Sequence, residues 1–182
     1  GKFRHIHSKN LLCLLKTFNQ FVQGIRHLLC SALIIRGIIS LVAALLKARS
    51  GNTDQAFIRG NALVGEGCVV GNSTELKNVI LFDGVQVPHY NYVGDSILGY
   101  RAHMGAGAIT SNVKGDGSLV AIKHGTQKIS TGRKKVGAML GDRAEIGCGC
   151  VLTPGTVVGP RTQIYPLTSV RGVIPADSIC KD

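Results

Sequence analysis

A step of six residues separates large apolar side chains from Ile58 to Val170, and this repeat constrains the fold more than any other feature of the chain. Two runs of the repeat are unbroken, and a middle group keeps the same step although Thr110 is not aliphatic. A small residue often follows four residues later, and glycine often follows directly. The repeat positions are Ile58, Val64, Val70, Leu76 and Phe82, then Leu98, Met104 and Thr110, then Leu140, Ile146, Leu152, Val158, Ile164 and Val170.

A step of six matches neither the 3.6-residue period of an α-helix nor the two-residue alternation of a lone strand. It is typical of a chain that forms a short strand, turns a corner and repeats, so that stacked coils bury one continuous apolar column. The glycines are expected to relieve strained backbone at the bends. The pattern predicts an all-β fold, a left-handed parallel β-helix of hexapeptide repeats with about three hexads per coil.

Two stretches interrupt the repeat. The first covers residues 84–92, where the step from Phe82 to Val93 is eleven, and the second covers residues 112–135. Interruptions in a solenoid are usually loops, and functional residues concentrate in loops. The second stretch is long, polar and basic, so we expect it to project from the prism and reach a neighbouring subunit.

The composition changes near residue 50, which divides the chain into an apolar, basic segment (1–53) and a β-helix domain (54–182). The first segment carries eight basic and no acidic residues, whereas the rest carries 13 basic and 10 acidic ones, a net charge of 13 − 10 = +3. The net charge of +11 therefore lies mostly outside the repeat, and aromatic residues are few. Neither part shows the basic, aromatic surface of a nucleic-acid-binding protein, so no nucleic-acid partner is expected.

The apolar segment is expected to be helical, and its origin is open. Residues 27–46 approach the length of a membrane-spanning helix, but the central Arg36 costs roughly 2.5–3.5 kcal/mol on insertion scales. No signal-peptide cleavage pattern follows. A helix packed on the domain or on a partner subunit is favoured over membrane contact, and a segment foreign to the domain is a further alternative.

Six cysteines are scattered along the chain: Cys13, Cys30, Cys68, Cys148, Cys150 and Cys180. They form no pair with zinc-site spacing, and Cys148 and Cys150 would make only half a metal site even if both lay on one face of a strand. We expect small, buried, reduced cysteines in a cytoplasmic protein, and no metal.

His89 lies in the first interruption, after Pro88 and before the aromatic residues Tyr90 and Tyr92. Histidine is the usual general base near neutral pH, and Tyr92 and Asp95 are near enough in sequence to orient it. A packed or surface histidine is the alternative for any lone His.

Three segments near His89 are specific in combination: ELKN at 75–78, PHYNYVGD at 88–95 and GAGAITSN at 105–112. Together they resemble the C-terminal acetyltransferase domain of bifunctional N-acetylglucosamine-1-phosphate uridyltransferase/glucosamine-1-phosphate acetyltransferases, and the related UDP-N-acetylglucosamine diphosphorylase-related hexapeptide proteins. The resemblance covers roughly residues 56–181. It implies acetyl-CoA-dependent N-acetylation of an amino-sugar phosphate by a homotrimer, in UDP-N-acetylglucosamine and cell-envelope precursor synthesis.

The resemblance also assigns site residues. It implies that His89 removes a proton from the attacking amine, that Arg59 and Lys77 bind the sugar phosphate, and that Tyr92 lies beside both. Nothing resembles the nucleotide-binding half of the family, so uridyltransferase activity is not expected.

Further positions follow from the same resemblance. Asn112 is expected in the sugar pocket, with His103 where the family often has asparagine, and Lys135 is expected to reach in from a neighbouring chain. Ala138 and Arg171 match positions near acetyl-CoA, with the arginine near its phosphates. The hexads that precede Arg59 in the family are absent, which puts the phosphate end of the site at the edge of the repeat.

Other functions stay open on this fold. One is acyl transfer to another acceptor, such as a sugar hydroxyl, and another is a non-catalytic trimeric β-helix scaffold. A hexapeptide carbonic anhydrase would need three histidines at a subunit junction, and His89, His103 and His124 lack its close pair.

Overall fold

The structure, a computed structural model, describes residues 55–181. The predicted helical segment 1–53, with Cys13 and Cys30, lies outside the described residues. Within the described part the chain forms strands and turns, and no helix there is long and apolar enough to cross a membrane. The strands are β1 (Phe57–Val64), β2 (Val69–Asn72), β3 (Glu75–Leu81), β4 (Gln86–His89), β5 (Tyr92–Leu98), β6 (His103–Met104), β7 (Ile109–Thr110), β8 (Ala121–His124), β9 (Gln127–Ser130), β10 (Ala138–Leu140), β11 (Glu145–Ile146), β12 (Val151–Leu152), β13 (Thr156–Val158), β14 (Gln163–Ile164), β15 (Ser169–Val170), β16 (Val173–Ile174) and β17 (Ile179–Cys180).

Parallel pairing between successive coils confirms the predicted parallel β-helix of hexapeptide repeats. Strands β1, β3 and β5 are long enough to bend across one corner, so the nine-stranded sheet contains two faces of a prism. The first face continues from the first half of β5 to β7, β12 and β15, and the second continues from its other half to β10, β13 and β16. The third face is the six-stranded sheet β2-β4-β6-β11-β14-β17.

The register between coils shows why the repeat seemed to break after Phe82. Ile58 pairs with Leu76, a coil of 76 − 58 = 18 residues, whereas Leu76 pairs with Val93, a coil of 93 − 76 = 17 residues. The shorter coil places Leu81 in the core, where Phe82 was expected. One residue is missing from a hexad rather than a whole repeat being lost.

Residues 84–92 are therefore not a loop, which corrects the sequence interpretation. Val85 and Val87 are fully buried, and β4 continues the third face between β2 and β6. The segment is ordinary prism wall that ends at a sharp corner. The step from Leu76 to Leu81 is five residues, so a repeat of six does not predict this strand.

The glycines after repeat positions also have a different cause from the one expected. Their backbone is not left-handed; instead, a Cβ on Gly71 would lie 1.8 Å from the carbonyl oxygen of Pro88, and one on Gly147 would lie 2.4 Å from the nitrogen of Pro166. These glycines permit close stacking of coils. The left-handed conformation falls on later corner residues such as Tyr90, with φ 52°, and Asp95, with φ 48°.

The second interruption, 112–135, does leave the prism, but it folds back on its own chain. Its residues form the antiparallel hairpin β8–β9, in which Val120 and Ile122 are buried. A Cβ on Gly155 would meet Val120 at 2.9 Å, and one on Gly172 would meet the Lys123 carbonyl at 2.8 Å. The hairpin packs along the corner between the first and second faces, contrary to the expected free projection, because it carries apolar residues of its own.

Candidate active site

Two corners frame the candidate site. We call the turn from the third face to the first, through Tyr90 and Asn91, the His89 corner. We call the turn from the first face to the second, through Asp95, the Asp95 corner. The first face lies between them, so side chains that point outward from β3 and β5 share one surface.

His89 ends β4 at the His89 corner, and the residue is exposed. Its backbone is held on both sides: the N–H donates to Asn91 Oδ1 at 3.1 Å, and the carbonyl accepts from the Gly107 N–H at 3.0 Å. An exposed imidazole on a fixed backbone is accessible to a bound amine, and a histidine can take its proton near neutral pH.

A polar cluster lies at the other end of the first face, at the Asp95 corner. The Asp95 carboxylate accepts from Asn112 Nδ2, from Asn78 Nδ2 at 3.2 Å and from Lys77 Nζ at 3.4 Å. Asn112 Nδ2 also lies 3.2 Å from the Tyr92 hydroxyl. The structure thus brings together Lys77, Tyr92 and Asn112, three of the residues expected at the sugar phosphate.

Asp95 itself has a different place from the one expected. It contacts Lys77 and Asn112 and makes no hydrogen bond to the imidazole of His89, and the Tyr92 hydroxyl contacts Asn112 instead. The expected orientation of His89 by these two residues is therefore not found. Asp95 and Asn78 have left-handed backbone at the corner, with φ 48° and 52°, a conformation that Asn and Asp adopt more readily than most residues.

Arg59 extends the cluster by one coil, because it pairs with Lys77 in the register of β1 and β3. Its Nε lies 2.6 Å from Glu75 Oε1, in a pair whose side chains are 47% and 31% exposed. The Lys77–Asp95 pair is more buried, at 17% for each side chain. Both expected phosphate-binding cations are thus held by carboxylates that the sequence analysis did not place at the phosphate.

His103 is not brought to this surface. It begins β6 on the third face, and its Nδ1 lies 2.8 Å from Glu145 Oε2. Because Gln86 pairs with His103, His89 lies three residues further along the neighbouring strand, a distance of about 10 Å at the usual rise of a strand. The expected sugar contact from His103 has no support within one chain.

Lys135 lies at the end of the second interruption, where it pairs with Val113 in an antiparallel bridge. The next residue, Val136, donates its N–H to the Asn112 carbonyl at 3.0 Å. Lys135 is exposed. Although it is distant from Asn112 in sequence, the bridge places its backbone next to that of Asn112. It is therefore close to the polar cluster of its own chain.

Ala138 and Arg171 lie along the Asp95 corner in later coils. Ala138 is buried, and its N–H donates to Ser96 Oγ at 3.0 Å, whereas Arg171 is exposed. Through the register of β10 with β13 and β13 with β16, they are two coils apart, about 10 Å at the usual strand spacing. Arg171 is accessible to a ligand, but the Ala138 amide is occupied.

The described cysteines are free thiols, and they differ in burial. Burial raises the pKa of Cys68 and of Cys150 above the ordinary value, as expected for buried cysteines. Cys148 is exposed, contrary to expectation, because Gly149 turns the chain with φ 67° and separates the two thiols. Within residues 55–181 no group of three or more His, Cys, Asp or Glu residues could hold a metal ion.

Comparison with known proteins finds sequence relatives, although no protein-family model matches the chain. A bifunctional sugar-1-phosphate nucleotidylyltransferase/acetyltransferase from Sulfurisphaera tokodaii is 32% identical over 111 residues, which are 61% of this chain and 28% of that protein. The chain thus spans less than a third of this relative. The resemblance to bifunctional proteins of this kind is confirmed.

Two solved structures share the fold. One is the acetyltransferase domain of PglB from Neisseria gonorrhoeae in complex with acetyl coenzyme A, with a TM-score of 0.55, 23% identity, and coverage of 78% of this chain and 59% of that one. The other is a point variant of perosamine N-acetyltransferase from Caulobacter crescentus in complex with CoA and GDP-perosamine, with a TM-score of 0.54, 17% identity, and coverage of 77% and 59%. At these identities the likeness establishes the fold.

Proposed function

We propose that the protein transfers an acetyl group from acetyl-CoA to the amine of an amino-sugar phosphate of the glucosamine-1-phosphate type. The observation that supports this proposal most is the arrangement of the first face. The exposed His89 lies at one corner, and Lys77, Tyr92 and Asn112 lie around Asp95 at the other. The relative from Sulfurisphaera tokodaii, whose name includes both a sugar-1-phosphate activity and an acetyltransferase, supports this choice.

In the proposed reaction the sugar amine attacks the thioester carbonyl of acetyl-CoA. His89 accepts the proton that the amine loses, and a tetrahedral oxyanion forms. The oxyanion collapses, the carbon–sulfur bond breaks, and the imidazolium returns its proton to the leaving thiolate of CoA. The products are an N-acetylated sugar phosphate and CoA with a free thiol, and no metal takes part.

The sugar phosphate is expected to bind the donors of Arg59 and Lys77 that their carboxylate partners leave free. Arg59 and Lys77 lie side by side on adjacent coils, and each is held by one carboxylate, Glu75 or Asp95. Each cation keeps donors free for a phosphate, because a guanidinium has five N–H groups and an ammonium has three. Lys135 adds a third cation near Asn112, while His103 is left out because its ring, one coil beyond His89, contacts Glu145.

Acetyl-CoA is proposed to lie beside the β8–β9 hairpin, which covers the Asp95 corner at Gly155 and Gly172, with the exposed Arg171 next to its phosphates. Ala138 would contribute a small side chain to the wall rather than an amide, since its N–H is bonded to Ser96. Within one chain the whole first face separates His89 from the Asp95 corner. The sites are therefore proposed to lie between subunits of a homotrimer, with the His89 corner of one subunit facing the Asp95 corner of the next.

The proposal is tested by following thiol release from acetyl-CoA on the full chain with a panel of acceptors. Glucosamine-1-phosphate is expected to drive release, and N-acetylglucosamine-1-phosphate, in which the amine is blocked, is the matched control. Release with the blocked sugar as well would indicate transfer to a hydroxyl. No release with any acceptor, from folded trimers, would contradict the proposal and favour a scaffold.

A further inference from the structure

The His89 corner carries one residue that departs from the repeat. Four residues after each repeat position on the third face, the chain places a small buried side chain at the turn into the first face. The residues at this position are Thr74, Asn91, Ala108, Cys150 and Thr168. Asn91 alone among them carries an amide, and it belongs to the coil that ends in His89.

The Asn91 side-chain amide uses both of its N–H groups and its oxygen in hydrogen bonds within the protein. Its Nδ2 donates to the Gly105 carbonyl at 2.8 Å and to the Ala108 carbonyl at 3.0 Å, in the next coil. Its Oδ1 accepts from the His89 N–H at 3.1 Å. The residue is only 2% exposed. The reversed amide would point its oxygen at two carbonyls, so the network fixes the orientation of the group.

We infer that Asn91 is a positioning residue that holds His89 in place for catalysis; this rests on the proposed role of His89 as the base. A catalytic histidine is usually oriented through a partner of its ring. Within residues 55–181 no side chain makes a hydrogen bond to the ring of His89, so the backbone of the corner fixes only where its Cα–Cβ bond points, and the position of the ring depends on that backbone. That backbone is held by Asn91 on the N–H, by Gly107 on the carbonyl, and by the left-handed Tyr90 between them.

The test compares Asn91→Ala with Thr168→Ala, which removes a buried hydrogen-bonding side chain from the equivalent position of a later coil. Asn91→Ala is expected to lower kcat about 10–100-fold with the KM for acetyl-CoA unchanged, because displacements of about 1 Å cost rates of this order. Thr168→Ala is expected to leave kcat unchanged. Asn91→Thr, a residue that this corner already accepts at Thr74 and Thr168, keeps a hydroxyl and is expected to recover part of the loss.

A double-mutant cycle shows whether the loss acts through His89. In a His89→Ala background, Asn91→Ala is expected to cause no further loss. An equal loss in both backgrounds, or an unchanged kcat in Asn91→Ala, would overturn the inference. Asn91→Thr carries the same comparison if the alanine variant does not fold.

Amide hydrogen exchange at His89, followed by NMR, separates this inference from the proposed function. Asn91→Ala is expected to accelerate exchange of the His89 N–H at least about tenfold relative to Thr168→Ala, because its acceptor is removed. Unchanged exchange would overturn the inference and leave the proposed function intact. Faster exchange with full turnover in His89→Ala would refute His89 as the base while demonstrating its anchoring by Asn91.

Discussion

Substitution of Gly147 by alanine tests the reason for the glycines that follow the repeat positions. A Cβ at this site would lie 2.4 Å from the nitrogen and 2.7 Å from the Cα of Pro166 in the next coil. Both are backbone atoms, so no side-chain rotation can relieve the contact. Because non-bonded heavy atoms prefer about 3.5–4.0 Å, the coils must separate locally by roughly 1 Å.

Such a separation acts on the ladder that joins the coils. The Gly147 N–H donates to the Ile164 carbonyl at 2.9 Å, and a displacement of this size would break that bond. Overpacking costs about 1–3 kcal/mol and a lost hydrogen bond about 0.5–1.5 kcal/mol, so we expect a loss of about 3 kcal/mol in the free energy of unfolding. At about 2–4 °C per kcal/mol for a chain of this size, Tm should fall by about 6–12 °C.

The assay is thermal unfolding followed by circular dichroism at one fixed protein concentration. Gly115→Ala is the matched control, because a Cβ there meets nothing within 4 Å and the backbone is not left-handed. That variant should be neutral or more stable by up to about 1 kcal/mol. A Gly147→Ala protein as stable as the wild type, or an equal loss in both variants, would refute the close-stacking explanation.

Two further predictions follow from buried groups. Thr110→Val keeps the side-chain shape but removes the acceptor of the Gly94 N–H at 2.9 Å, so it should lower the free energy of unfolding in urea by about 1–3 kcal/mol. Thr110→Ser keeps the hydroxyl and should cost clearly less. Equal losses in the two variants would contradict the hydrogen-bond role. Maleimide labelling of the native protein, mapped by peptide mass spectrometry, should modify Cys148 rapidly and leave Cys68 and Cys150 protected. Burial limits access to these two thiols and raises the pKa of both. Labelling of all three cysteines at one rate would contradict the burial of Cys68 and Cys150.

The architecture could be predicted from sequence because every coil must return an apolar side chain to the same column. Leu140, Ile146 and Leu152 do so at a constant step, and each is buried. The constant step does not hold where a coil is one residue shorter, since Leu81 rather than Phe82 then occupies the core. Pairing between coils, which the sequence does not display, decides such a position.

The candidate site was predictable to the extent that motifs carry it. Lys77, Tyr92 and Asn112 come together as the resemblance implied. The carboxylate that joins them, Asp95, was expected beside His89, because nearness in sequence does not show that a corner turns the two side chains to opposite ends of a face. Asn91 had a visible signal, an amide at a position otherwise occupied by small side chains.

The central claim is that His89 acts as the general base of acetyl transfer. The initial rate of glucosamine-1-phosphate-dependent thiol release tests it most directly. The comparison is between the wild type, His89→Ala and His124→Ala, in which an exposed histidine of the β8–β9 hairpin is replaced. The account predicts that His89→Ala lowers turnover by about 10²–10⁴-fold with its oligomeric state unchanged, and that His124→Ala retains the wild-type rate. Equal rates in the wild type and His89→Ala would contradict the account.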